Sequence, residues 1–220
     1  MTTKEIYKYI AITAFAAGLM LAGMFAITLM KGVSPQHFEL VAAPEVYADE
    51  IIAAEQPLRL ALTFDNLFLT FYTAAFVFLA ISLWEGNKKI VVAIGLGALL
   101  ITAYLDLLEN HDILTQLTTA LNGFPITLHD LQNRMIWSQL KFHSSYLGFF
   151  LFAFALPGNT LLEKLLKYSL WFGYLPIGIL VYTFPNPIFD ILRIVFMLAG
   201  LFLLSGIYFI HYQEKAKSPK

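Results

Sequence analysis

Residues 90–110 read IVVAIGLGALLITAYLDLLEN, uncharged from Ile90 to Leu105 and then acidic twice, at Asp106 and Glu109. Crossing the hydrocarbon of a bilayer takes roughly 20 apolar residues wound as a helix, and this stretch supplies that length. Five further runs of the same kind flank it: Tyr9–Met30, Leu60–Trp84, Met135–Leu156, Leu166–Thr183 and Ile188–Ile210. Pro176 sits inside the fifth, which membrane helices tolerate. The predicted fold is therefore all-α, a polytopic membrane protein in which residues 1–220 form one domain, a compact bundle of six transmembrane helices.

Composition agrees. Of the 220 residues, 59% are hydrophobic and 13% charged, whereas soluble domains carry about 45–50% and about 25%. A chain this short cannot absorb that excess in one core, because in water it still needs a polar surface. With a formal net charge of -1 and no basic stripe interleaved with aromatics, a nucleic-acid partner is not expected; membrane lipids are. There is no cysteine, so disulfides, thiolate catalysis and iron–sulfur ligation are excluded.

Lys4 and Lys8 precede the first run, whose apolar stretch is too long for a signal peptide and leads into no convincing small-residue cleavage site. It reads as an uncleaved first span, with Gly18, Ala22 and Gly23 forming a face for close packing. Orientation follows from the lysine and arginine bias. With the N-terminus inside, the inner segments hold Lys4, Lys8, Lys88, Lys89, Lys164, Lys167, Lys215, Lys217 and Lys220. The outer flanks hold only Lys31, Arg59 and Arg134 beside the acids Glu39, Glu45, Asp49, Glu50 and Glu55. Both termini are expected in the cytoplasm, and small size with short inner loops suggests a bacterial inner membrane. Two longer outer loops each contain a short amphipathic stretch, Val46–Glu55 and Asp112–Asn122, the second closed by Gly123 and Pro125. Thr127 with Asp130 three residues on forms a capping-box variant that starts the fourth helix before lipid is reached. Phe184–Pro187 (FPNP) reads as an outer turn.

A charged side chain in hydrocarbon costs ~2.5 kcal/mol or more, so it faces the bundle interior or a wet cavity. Asp65 lies five positions into the second span, roughly 8 Å deep at the helical rise. Asp106 and Arg193 are about as deep, and Lys141 and His143 approach mid-membrane. Ionisable groups thus gather in the outer leaflet of several spans, while the inner halves carry almost none. Helical spacing puts Asp106, Glu109 and Asn110 on one face, continued inward by Thr102 and Gly95. Asp65 shares a side with Tyr72, and Asn66, Thr70 and Thr73 share the adjacent one. The fourth span has two polar stripes: Arg134, Ser138, Lys141 and Ser145, and Gln139, His143 and Tyr146.

Two readings follow. In the first, an outward-facing intramembrane cavity binds a small polar ligand or lipid headgroup, as a carrier or a lipid-modifying enzyme. Asp65 and Asp106 are then the central acids and His143 a proton acceptor, the candidate catalytic set. Asn66, Glu109, Asn110, Lys141 and Arg193 bind the ligand. In the second, the protein is a non-catalytic subunit or scaffold whose charges are interhelical ion pairs, which offer little net stability but fix register. A divalent metal on Asp65, Asp106, Glu109 and His143 fits an oxygen-rich site, although no HExxH or paired histidines are present. Haem is not expected, since His143 alone is clearly embedded. No GxSxG or GxxxxGK[ST] appears, so neither a hydrolase elbow nor a nucleotide phosphate loop is expected.

Overall fold

The computed structural model describes residues 1–184 and 186–217, and within them it is helical without strands. Pro185 of the expected outer turn and Lys220 of the inner lysines lie outside the described residues. Eight α-helices follow one another: α1 Thr3–Lys31, α2 Pro44–Ala53, α3 Glu55–Ser82, α4 Lys89–Leu121, α5 Leu128–Ala155, α6 Leu161–Ser169, α7 Leu175–Thr183 and α8 Pro187–Lys217. A 3₁₀ turn, Pro35–Glu39, joins α1 to α2, and a π turn, Leu170–Tyr174, joins α6 to α7.

Among the described residues, four helices are long and apolar enough to cross a membrane: α1, α3, α4 and α8. α5 has the length, but its stripe of buried polar residues (Arg134, Ser138, Lys141, Ser145) lowers its hydropathy. The expected fifth span is not one regular helix. Pro176, near the start of α7, has no N–H to continue the ladder, and the chain absorbs the defect in the π turn before it.

Contacts sort the helix ends. At one end the rings of Tyr7 and Tyr208 lie 5.4 Å apart, Ser82 and Tyr208 share a hydrogen bond of 3.3 Å, Lys88 Nζ donates to the Ala155 carbonyl at 3.2 Å, and His211 Nε2 meets Glu163 Oε1 at 2.9 Å. At the other, the turn and α2 between α1 and α3 meet the start of α5, through Glu39 to Ser138 and Tyr47 to Arg134.

Glu163 is buried at the first end, where it accepts from the backbone N–H groups of Asn159 and Thr160 as well as facing His211. Burial pushes its carboxyl up, but those donors outweigh burial and hold it below its ordinary value of 4.5. A depressed acid contributes stability above its unfolded pKa and loses it as pH falls through the folded one. The melting temperature is therefore expected to drop below about pH 4.5, more shallowly in Glu163→Gln. Glu163→Ala, which strips the cap and the His211 contact, is expected to cost about 2 kcal/mol.

Two cores stack along the bundle axis. The larger holds Ile10, Ala14 and Ala17 of α1, Phe76 and Leu79 of α3, Leu99 of α4, Phe152 of α5 and Leu204 of α8. A second, smaller core joins Phe38, Tyr47 and Ile51 to Leu58, Ile113, Leu117 and Leu131. The smaller core exists because α3, α4 and α5 run past the expected membrane limits. α3 starts at Glu55 rather than Leu60, and α4 continues without a break to Leu121. The segment Asp112–Asn122 is thus the last three turns of α4, not a separate interfacial helix. Nothing before Gly123, with φ +70°, ends it. α2 is the short amphipathic helix expected at Val46–Glu55, with its apolar residues Tyr47 and Ile51 turned into the protein. α5 opens at the expected cap, Thr127 and Asp130 satisfying each other's backbone N–H.

α4 and α5 meet along a seam with a heptad-like period. Buried positions repeat at 92, 95, 99, 102, 106, 109, 113, 116 and 120 on α4, and at 131, 134, 138, 141, 145, 148, 152 and 155 on α5; 98, 103, 110 and 117 of α4 and 146 and 153 of α5 are buried beside them. Steps alternating three and four keep one side of each helix against the other. The seam changes chemistry with depth, from Gly95, Leu99 and Gly148 through Thr102 and Ser145 to Asp106, Glu109 and Lys141. Gly18 and Gly23, expected to pack closely, receive the rings of Phe202 and Phe64.

Candidate functional site

Where the seam turns polar, Lys141 carries its ammonium to three carboxylates. It donates to Asp106 Oδ1 at 3.2 Å and Glu39 Oε1 at 3.4 Å, and in closest contact to Glu109 Oε2. Asp106 and Glu109 reach it from one face of α4 because they are three residues apart. Glu39 comes from the 3₁₀ turn, its other oxygen taking the Ser138 hydroxyl at 2.6 Å, so one stripe of α5 grips it twice. Burial raises the Glu39 carboxyl, yet Lys141, Ser138 and Arg193 together bring it below the ordinary glutamate value. Lys141 is 7% exposed and Glu109 1%, so one ammonium meets three acids away from water.

Thr102 hydrogen bonds Ser144 at 2.8 Å one turn deeper. Asn110 Nδ2 donates to Asn66 Oδ1 at 3.2 Å, tying α4 to α3. Asp65, half-buried on α3, lies in electrostatic reach of Asp106 and Lys141. The Arg193 guanidinium sits 3.8 Å from the centre of the Phe142 ring and donates to Asp190 at 3.1 Å. It flanks the cluster without touching its acids.

Asp65, Asp106, Lys141 and Glu39 line the polar end of a cavity of about 140 Å³. Lys141 and Leu156 both line it, so it follows α5 for 15 residues, roughly 22 Å at the helical rise. Beyond Tyr72 its walls turn apolar, with Phe76, Leu79, Leu99 and Phe152 and then Leu204. Near the polar end, Thr28 of α1 and Gln36 of the turn complete the wall.

Of the residues singled out in sequence, Asp65, Asp106 and Lys141 meet at this cavity. Glu109 joins them through Lys141, and Asn66 and Asn110 form an adjoining bridge. His143 does not come with them. Two positions past Lys141 it is turned about 200° around the helix, and its side chain is exposed on the outside of the bundle. Ser144 and Ser145 bond the Lys141 and Phe142 carbonyls instead of a base. Among the described residues no group of three or more histidine, aspartate or glutamate side chains is arranged to hold a metal ion; the centre of the acid cluster is filled by the Lys141 ammonium.

Sequence reasoning passed over Glu39, Ser138 as its partner, and Arg134. Arg134 is fully buried, donating to the Tyr47 hydroxyl at 2.8 Å, stacked 4.8 Å from that ring, and 3.7 Å from Asp112. It pins α2 over the polar end of the bundle. The α5 stripe read in the sequence carried the signal: Arg134, Ser138 and Lys141 are successive donors on one face, and matching them to acids of the outer loops would have found Glu39. No protein-family model, curated protein or solved structure matches the chain.

Proposed function

We propose that the chain is a six-pass protein of a bacterial cytoplasmic membrane, with both termini inside, whose cavity opens in the outer leaflet and binds a small polar ligand or lipid headgroup as a carrier or lipid-modifying enzyme. Four apolar helices support a membrane location. The helix-end contacts support six passes, since Tyr7, Ser82, Lys88, Ala155, Glu163 and Tyr208 gather at one end. That end carries Lys4, Lys8, Lys88, Lys89, Lys164 and Lys167, as the cytoplasmic side should.

The observation that carries the reading is a cavity whose polar end is lined by Asp65, Asp106, Glu39 and Lys141 inside an otherwise apolar bundle. Ionisable groups at that depth are costly unless they serve a site or one another. The scaffold reading draws on the saturation of Lys141 by three acids. Asp65 separates the two: it lines the cavity and is not among the acids that hold Lys141.

The absence of native cysteine makes the topology directly testable. Asn122→Cys and Asn87→Cys both place a thiol at an exposed position. An impermeant maleimide added to intact cells is expected to label Asn122→Cys and spare Asn87→Cys; equal labelling would overturn the orientation. For the site, Asp106→Asn is expected to keep a monodisperse, folded protein and change the melting shift produced by a panel of amines, carboxylates and phosphate esters. A panel response identical in wild type and Asp106→Asn would leave the scaffold reading standing alone.

A further inference from the structure

We infer that the occupant of the cavity is a single-chain amphiphile with a protonated amine head, seated against Asp65 and Tyr72, and one unbranched tail running toward Leu204. The inference rests on the ligand-binding reading above and names the ligand class.

The head follows from charge. Four acidic side chains, Glu39, Asp65, Asp106 and Glu109, gather near one ammonium, which bonds three of them and lies in electrostatic reach of Asp65. The other nearby cation, Arg193, is paired with Asp190. Lys141 neutralises the three acids it touches only in part, and Asp65 stands outside that set while lining the cavity. A carboxylate or phosphate head would enter a field of its own sign, whereas an ammonium would complete the balance.

The Tyr72 hydroxyl points the same way. Tyr72 is 5% exposed, lines the cavity and lies in reach of Asp106, Lys141 and Asp65; its buried hydroxyl has only the Thr73 hydroxyl beside it and makes no hydrogen bond of normal geometry. A buried hydroxyl left without a good partner is costly, and a ligand donor at this point would remove that cost. An ammonium has three donors, enough to serve the Asp65 carboxylate and the Tyr72 oxygen together. The ring of Phe68, 5.0 Å from that of Tyr72, also lines the cavity and offers an aromatic face of the kind cations favour.

The tail follows from shape. Below Tyr72 the cavity is bounded by Phe76, Leu79, Leu99 and Phe152, and it is long for its volume of about 140 Å³. A narrow apolar slot of this length admits one extended hydrocarbon chain more readily than two chains or a compact solute. Each methylene transferred from water into it adds to the affinity.

The test uses the full chain in detergent micelles, with native mass spectrometry counting bound hexadecylamine, hexadecanol, palmitate and ethylammonium. One equivalent of hexadecylamine is expected, in preference to the alcohol and the acid. Asp65→Asn is expected to weaken it about ten- to a hundredfold, the loss of one charge-assisted hydrogen bond. Tyr72→Phe, which removes only the hydroxyl, is expected to weaken it several-fold and keeps the test decisive if the Asp65 variant does not fold. Leu204→Phe is expected to reduce hexadecylamine binding and leave ethylammonium unchanged. Palmitate or hexadecanol binding as tightly as the amine would overturn the inference, as would hexadecylamine binding unaffected by Asp65→Asn or Tyr72→Phe. Ethylammonium binding as tightly as hexadecylamine would also overturn it while leaving the polar-site reading intact, because that reading needs no tail. The labelling of Asn122→Cys and Asn87→Cys tests the parent reading independently.

Discussion

Lys141→Met is expected to destabilise the protein by about 3–5 kcal/mol, the cost of leaving buried charge without its partner. Met keeps the length of the side chain and much of its packing along the α4–α5 seam, so the loss isolates the ammonium. Three carboxylates would then face one another across a few ångströms, with Glu109 1% exposed and Asp106 8%. They must either take up protons or draw water into the seam. The measurement is the midpoint of thermal or detergent-induced unfolding of purified protein. A companion variant makes the cause visible. Combining Lys141→Met with Glu39→Gln, Asp106→Asn and Glu109→Gln removes the uncompensated charge while keeping the side-chain shapes, and is expected to recover most of the lost stability. Recovery would assign the cation a balancing role, leaving Asp65 and Tyr72, which it does not bond, as the cavity groups that meet a ligand. A midpoint that does not move in Lys141→Met would mean that water already screens the cluster.

The parts of this arrangement legible in sequence were those governed by lipid solvation and helical period. Asp106 and Glu109 are three apart in a run otherwise free of charge, so they had to share an inward face. Lys141, on a stripe with Ser138 and Ser145, was the cation at matching depth. Glu39 was not legible as a member, because loops have no period. It reaches the cluster only because Pro35–Glu39 winds as a 3₁₀ turn that buries Phe38 and carries the next residue inward. His143 failed for the opposite reason. It is embedded by depth, but depth says nothing about rotation, and two residues past Lys141 put it on the far side of the helix. The limits of α4 show a third kind of gap. Falling hydropathy after Asn110 predicts an edge of lipid, whereas a helix stops at its breakers, here Gly123 and Pro125. The eleven residues Asn110 to Ala120 build the outer core that holds α2 and the Glu39 turn over the cavity.

Gly148→Leu is expected to be nearly as damaging as the loss of Lys141, by about 3 kcal/mol, at the upper end of ordinary overpacking. A β-carbon at Gly148 would lie 2.6 Å from Leu99 Cγ and 3.1 Å from the Gly95 carbonyl oxygen. The Leu99 side chain can rotate away from a methyl, but the Gly95 backbone belongs to α4 itself and yields only if the whole helix shifts. Gly148 and Lys141 are seven residues apart, two turns on the same face, so a wedge at 148 parts the seam below the ion pairs. Separating α4 from α5 there lengthens the Thr102–Ser144 bond and draws Asp106 and Glu109 from Lys141, coupling a packing defect to an electrostatic one. Gly148→Ala is the graded control, with a smaller loss of the same sign. A double-mutant cycle between Gly148→Ala and Lys141→Met is expected to be non-additive, because both act on one interface. Additive losses would show that packing deep in the seam and charge balance above it are maintained separately, and that the polar end of the cavity holds its shape without the helix contact beneath it.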